Sequence, residues 1–150
     1  MSPRLAALFT EYADCHRHPM NRLTHKIAIP LIVFHIIAML DWVPLFSVNG
    51  HTITLAIPAY LAAITWYFSM SPRLGVAMAV LFGACFPLAW ITPGPVVIAI
   101  AVLGWIVQLL GHSVWEKKQP AFLTNLLQAL VGPAFFVAPL VGLSNPRGRA

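Results

Sequence analysis

The chain has 150 residues, of which 59% are hydrophobic and only 9% charged, and its mean hydropathy of +0.81 excludes an ordinary soluble domain, in which roughly a quarter of residues are charged. A lipid bilayer is the simplest solvent for such a composition. The formal net charge of +5 is accompanied by no nucleic-acid-binding motif, so the basic residues are read as serving membrane topology first and anionic lipid or substrate headgroups second.

The first 26 residues carry Arg4, Glu11, Asp14, Arg17, Arg22 and Lys26 and have no central apolar stretch, so they are not expected to be a cleaved signal peptide. Leu5, Leu8, Phe9 and Tyr12 fall near helical spacing and predict an amphipathic helix from about Pro3. Pro19 should interrupt it and open a second helix, because proline is tolerated in a first turn. Pro30 removes an intrahelical bond and should kink the entry into the first apolar run.

Four apolar runs of spanning length follow, at about Ile27–Phe46, Thr52–Met70, Leu74–Ile91 and Val96–Trp115, since a crossing helix needs about 20 such residues. A fifth run, Ala121–Leu143, is interrupted by Gly132-Pro133, with Pro139 beyond. The fold class expected is therefore all-α: a polytopic helical bundle forming one membrane domain, with an arm at 1–26, the bundle at 27–143 and a tail at 144–150. Basic residues precede the first run, Arg73 lies between the second and third, and Lys117-Lys118 follow the fourth, whereas the loops Ser47–His51 and Thr92–Pro95 have none. That bias puts the arm and the Glu116–Pro120 turn on the cytoplasmic side. Four crossings plus a re-entrant last segment keep both termini inside, and a plain fifth crossing is the alternative. Met-Ser-Pro-Arg-Leu occurs at Met1–Leu5 and again at Met70–Leu74, too short to be a structural repeat. Cys15 in the polar arm and Cys85 inside a run are not placed to form a disulfide.

Two polar clusters carry the chemistry, because groups able to bind metal are costly in or beside a bilayer. The first is Tyr12, His16, Asn21 and His25, ahead of Pro30; the second is Gln108, Gly111-His112 and Glu116, ahead of Pro120, with Asn125 and Gln128 after it. Gln108, His112 and Glu116 are four apart and share one face of a helix, as do Asn21 and His25. His16 and His25 lie on opposite sides of a straight helix, and the break at Pro19 is what lets both turn inward. The expected ligand set, His16, His25, His112 and Glu116, suits iron, zinc or manganese, and a mixed histidine and carboxylate set with open positions is typical of iron that activates oxygen. Asn21, Gln108 and Asn125 would orient ligands or bound water. Tyr12 and Glu116 are the candidate catalytic groups, and Arg22, Lys26 and Lys117, with Arg17 and Lys118 nearby, lie where an acid headgroup would approach.

These clusters resemble those of the fungal and bacterial 2-hydroxy-fatty-acid α-dioxygenase family of the phytosphingosine degradation pathway. The likeness runs through Tyr12, His16, Asn21, His25 and Pro30, then Gly104-Trp105, Gln108, Gly111-His112, Glu116, Pro120-Ala121, Asn125, Gln128 and Pro133. It implies an Fe(II)-dependent enzyme that shortens a 2-hydroxy fatty acid by one carbon with molecular oxygen, in a bacterial inner membrane or the endoplasmic reticulum, with the metal on the cytoplasmic face. Relatives tend to carry a Glu where this chain has Pro139. Such an acid can chelate iron through its carboxylate and hydroxyl, which would place its C1–C2 bond beside activated oxygen.

Competing readings attach to several residues. His18, seven residues from His25, competes with His16; His35 should hydrogen-bond between helices; His51, after Asn49-Gly50, should be solvated. Zinc in the same ligands would make a membrane lipid hydrolase, and a non-catalytic metal- or lipid-binding protein or a small transporter is the reading from another class. Metal analysis separates the first of these, because zinc does not support oxygen uptake.

Overall fold

Four helices begin on a proline in their first turn, where its missing N–H forfeits no bond. They are α1 (Pro3–Asp14), α2 (Pro19–Asp41), α4 (Pro72–Gly83) and α6 (Gly94–Leu110). α3 (Ala56–Met70), α5 (Cys85–Ile91) and α7 (Gln128–Val137) complete the set in this computed structural model, which describes residues 1–123 and 125–143. The tail expected at 144–150 lies outside the described residues.

α1 is capped by Ser2, whose Oγ accepts from the Leu5 N–H at 3.2 Å, and it buries Leu5, Leu8, Phe9 and Tyr12 as the spacing predicts. That face does not lie on lipid. It packs on α7, with the Phe9 ring edge-on to Phe135 at 5.4 Å. α2 starts at Pro19 and runs through Pro30 to Asp41, so the end of the arm and the first apolar run are one helix.

Two boundaries depart from the sequence reading. The first run ends at Asp41 rather than Phe46, because Pro44–Val48 pairs antiparallel with His51–Thr54 across Asn49-Gly50. Both turn residues have positive φ, 50° and 81°, the geometry of a two-residue hairpin turn. Nor does Gly132-Pro133 split the last run into two half-helices. α7 continues through Pro133 and passes into a 3₁₀ turn, Ala138–Val141, in which Pro139 is exposed.

Among the described residues, three helical stretches are long and apolar enough to cross a membrane: Pro19–Asp41, Pro72–Ile91 and Gly94–Glu116. α3 has 15 residues and α7 has 10, against the ~20 that a ~30 Å hydrocarbon core asks for. Large apolar side chains, Trp90, Ile91, Leu109 and Leu140 among them, cover the outside, while His16, Asn21, His25, His35, Gln108, His112 and Gln128 are buried beside an apolar core that includes Phe9, Tyr67, Leu74 and Met78, an arrangement suited to a lipid solvent.

α2 packs along α6, and two glycines permit the approach. A methyl on Gly104 would meet Leu31 and Ile32 at 3.3 Å, and one on Gly111 would lie 2.5 Å from Asn21 Oδ1 and clash with Thr24 Oγ1. The amino end of α2 is thereby held against the carboxyl end of α6.

Candidate metal centre

At that end α6 gives way to a π-helical turn, Gly111–Glu116, closed by Lys117 at φ 53°. Such turns widen the helix by shifting hydrogen bonds to i→i+5 and are frequent at functional sites. His112 lies within the turn, His25 two turns into α2, and His16 in the link between α1 and α2.

The three imidazoles meet. Their ring centroids are 4.4, 4.8 and 4.7 Å apart, and their planes cross at 78°, 74° and 81°. Each is 4% exposed or less, and the three can offer one nitrogen apiece within 4.8 Å of one another. His18 is not among them. Its exposed ring caps α2 by accepting from the Met20 N–H at 3.2 Å.

Backbone carbonyls fix the ring tautomers. His16 Nδ1–H donates to the Tyr12 carbonyl and His25 Nδ1–H to the Asn21 carbonyl, each at 2.7 Å, so both Nε2 atoms carry lone pairs. His25 Nε2 stands 3.0 Å from His112 Nε2 and 2.7 Å from the Gln108 side-chain nitrogen. Burial pushes the His16 imidazole down to about 4, against the opposing pull of its bond to the Tyr12 carbonyl, and His112 and Arg22 lower it further. The ring is therefore neutral at physiological pH.

The donor set fits a metal ion on two counts. Nε2 of His16 is buried without a hydrogen-bond partner among the described residues, a costly condition that a cation relieves. Two nitrogen ligands at right angles, each roughly 2.1 Å from a metal, stand about 3 Å apart, which is the His25–His112 separation.

Glu116, expected as a ligand and a catalytic carboxylate, is engaged elsewhere. One oxygen accepts from the Arg17 N–H at 3.0 Å, and the other from the His18 N–H at 2.9 Å and Asn21 Nδ2 at 3.1 Å. Those three donors, from the link between α1 and α2 and the start of α2, take up both carboxylate oxygens, which spacing along α6 alone does not foretell. Asn125, expected to support the metal, instead accepts from the Leu127 N–H at 3.1 Å and forms an Asx turn leading into α7. His35 Nδ1–H donates to Leu31 within its own helix rather than across helices, and His51 is exposed on the hairpin as expected. Arg22 is half-buried, while Lys26, Lys117, Arg17 and Lys118 are exposed around the cluster. Cys15 and Cys85 are free thiols.

The Tyr12 ring lies flat on His16, centroids 3.8 Å apart and planes at 13°. Its hydroxyl is buried with no hydrogen-bond partner among the described residues, and burial raises the phenol far above its ordinary range, so it stays protonated. It looks into a cavity of about 320 Å³ bounded by His16, His112, Gln108 and Gln128 at one end and by Ile29, Val33, Ile36, Phe82 and Trp105 elsewhere. The apolar lining was not assigned from sequence, although Ile29, Val33 and Ile36 recur at the three- and four-residue spacing of one face of α2. A smaller cavity of about 230 Å³, with Lys26 on its wall, shares Ile29, Val33, Phe82 and Pro133.

The profile of the Mpo1-like family, described as "2-hydroxy-palmitic acid dioxygenase Mpo1-like", matches residues 3–143. The 2-hydroxy-palmitic acid dioxygenase MPO1 of Saccharomyces cerevisiae is 29% identical over 126 residues, covering 84% of this chain and 72% of the yeast protein. No solved structure matches the chain.

Proposed function

Because the chain belongs to the Mpo1-like family, we propose that it is a membrane-embedded non-haem iron dioxygenase that converts a 2-hydroxy fatty acid to the fatty acid one carbon shorter. The observation that carries this reading is the meeting of three buried imidazoles, two of which, His16 and His112, line a largely apolar cavity. Imidazole alone suits zinc as well as iron. The yeast relative is named a dioxygenase, and oxygen chemistry requires a centre that changes oxidation state, which zinc does not.

His16, His25 and His112 would hold Fe(II), whose role is to activate molecular oxygen next to the acid's C1–C2 bond. The Tyr12 and Asn21 carbonyls keep the proton on Nδ1 of His16 and His25 and so present Nε2 as ligand. Glu116 acts as a brace rather than a ligand: it ties the 17–18 turn and Asn21 to the end of α6, holding His16 and His25 where His112 meets them. Tyr12 fixes the plane of His16 by stacking and offers a hydroxyl to the substrate head. The apolar wall of the cavity receives the acyl chain and excludes water, which protects reactive species from side reactions. Arg22, Lys26 and Lys117 draw the carboxylate from the headgroup layer.

The metal site faces the cytoplasm in this reading, supported by Arg17, Arg22, Lys117 and Lys118 flanking the histidines in the chain and by the absence of Lys and Arg from the 44–54 hairpin. Purified protein should contain about one iron per chain by elemental analysis and consume oxygen when given a 2-hydroxy fatty acid. Stoichiometric zinc without oxygen uptake would refute the proposal.

A further inference from the structure

The cavity wall holds a polar group that the metal centre does not use. Gln128 is the first residue of α7, and its backbone N–H is satisfied by the Asn125 carbonyl at 2.9 Å. Its side chain is 2% exposed and lines the cavity, and neither Oε1 nor Nε2 has a hydrogen-bond partner among the described residues. Leaving a single buried polar atom unpaired costs on the order of 1–3 kcal/mol, and here donor and acceptor of one carboxamide are both unpaired. One turn along α7, Gly132 brings the backbone close to Tyr12, whose hydroxyl is likewise buried and unpaired; a methyl on Gly132 would lie 3.5 Å from it.

A carboxamide offers one acceptor and one donor side by side, and an aliphatic hydroxyl both donates and accepts. A carboxylate only accepts, so it would leave Oε1 unsatisfied. We infer that Gln128, with Tyr12 beside it, reads the 2-hydroxyl of the fatty acid: Oε1 accepts the hydroxyl proton and Nε2 or the Tyr12 hydroxyl donates to its oxygen. Gln128 is thus the residue that separates 2-hydroxy acids from unsubstituted ones. Sites built to hydrogen-bond a substrate hydroxyl discriminate strongly against the analogue lacking it, because the buried partners are then stranded. This inference rests on the proposed function and names how its substrate class is chosen.

The test measures binding of chain-matched 2-hydroxypalmitate and palmitate to detergent-purified, metal-loaded protein, for the wild type and for Gln128→Met, which keeps the side-chain volume and removes donor and acceptor together. The wild type should prefer the 2-hydroxy acid. In Gln128→Met that preference should fall by about 10-fold or more, through weaker binding of the 2-hydroxy acid, with palmitate affinity within about threefold and metal content unchanged. An unchanged preference overturns the inference, as does an equal loss for both acids, which would make Gln128 part of the chain-binding wall only. Should Gln128→Met not fold to a monodisperse particle, Gln128→Asn, which withdraws the amide by one methylene, is judged by the same ratio. A wild type that binds metal but neither acid overturns the proposed function along with the inference, whereas a wild type that prefers the 2-hydroxy acid beside a variant that also does overturns the inference alone.

Discussion

Removing any one imidazole leaves two ligands and an open wall, so His16→Ala, His25→Ala and His112→Ala should each purify with less than about a tenth of the wild-type metal and lose at least about 100-fold in oxygen uptake. His18→Ala should retain its metal and lose only a helix cap worth about 1 kcal/mol, measured as a shift in thermal midpoint. Glu116→Ala distinguishes a brace from a ligand: the variant should fill with iron at saturating concentration but bind it roughly 10- to 100-fold more weakly, and a variant that cannot be filled at any concentration would make Glu116 a ligand. The histidines were legible because imidazole at those spacings has few other uses beside a bilayer. The partners of Glu116 were not, because the N–H groups of Arg17 and His18 and the Asn21 amide come from a distant stretch of chain that spacing along one helix does not contain. Burial of His16 also predicts a pH effect on metal-stripped protein. Unfolded chain takes up this proton near 6.5, the folded ring only near 4, so between those values the unfolded state binds more protons and stability falls as pH falls. The loss from this residue should approach about 3 kcal/mol by pH 4, and His16→Gln should flatten the pH dependence of the unfolding midpoint.

At the scale of elements, the seam between α2 and α6 decides whether the ligands meet. Gly111 sits where a Cβ would enter the space of Asn21 and Thr24, and at Gly132 the nearest contacts are looser, 3.3 Å to Ile29 and 3.5 Å to Tyr12. Gly111→Ala should therefore cost about 1–3 kcal/mol and weaken metal binding, because the displaced Asn21 supplies the carbonyl that orients His25 and the amide that holds Glu116. Gly132→Ala should leave metal content intact, and metal analysis of the two variants side by side checks this ordering. Helix starts were readable from Pro3 and Pro19, whose chemistry is local. The end of α2 was not, because Trp42–Phe46 is as apolar as the helix before it and only the Asn49-Gly50 turn reveals a hairpin. α7 runs on across Pro133 while packed against α1 and α4, long-range contacts that no local signal contains.

For the whole molecule, polarity is arranged for lipid: imidazole and carboxamide gather in one part of the interior, while large Leu, Ile, Val and Trp side chains cover much of the outer surface. The chain enters α2 at the histidine end and leaves it beside the hairpin, then returns through α3 to Met70, whose sulfur lies 3.8 Å from the Ser2 hydroxyl at the start of α1. α4 and α5 then carry it to Trp90, which hydrogen-bonds Asp41 beside the hairpin at 3.1 Å, and α6 brings it back to Glu116. The hairpin and the Lys117-Lys118 turn are thus opposite poles of the bundle, and a bilayer crossed by α2 and α6 must separate them. In a background lacking Cys15 and Cys85, a cysteine at Ser47 should react with a membrane-impermeant maleimide from the non-cytoplasmic side, and one at Lys117 only after the membrane is opened. Equal labelling of both from one side of intact membranes would mean that these two helices lie along the bilayer instead of across it, and the apolar cavity would then have to be filled from the surface.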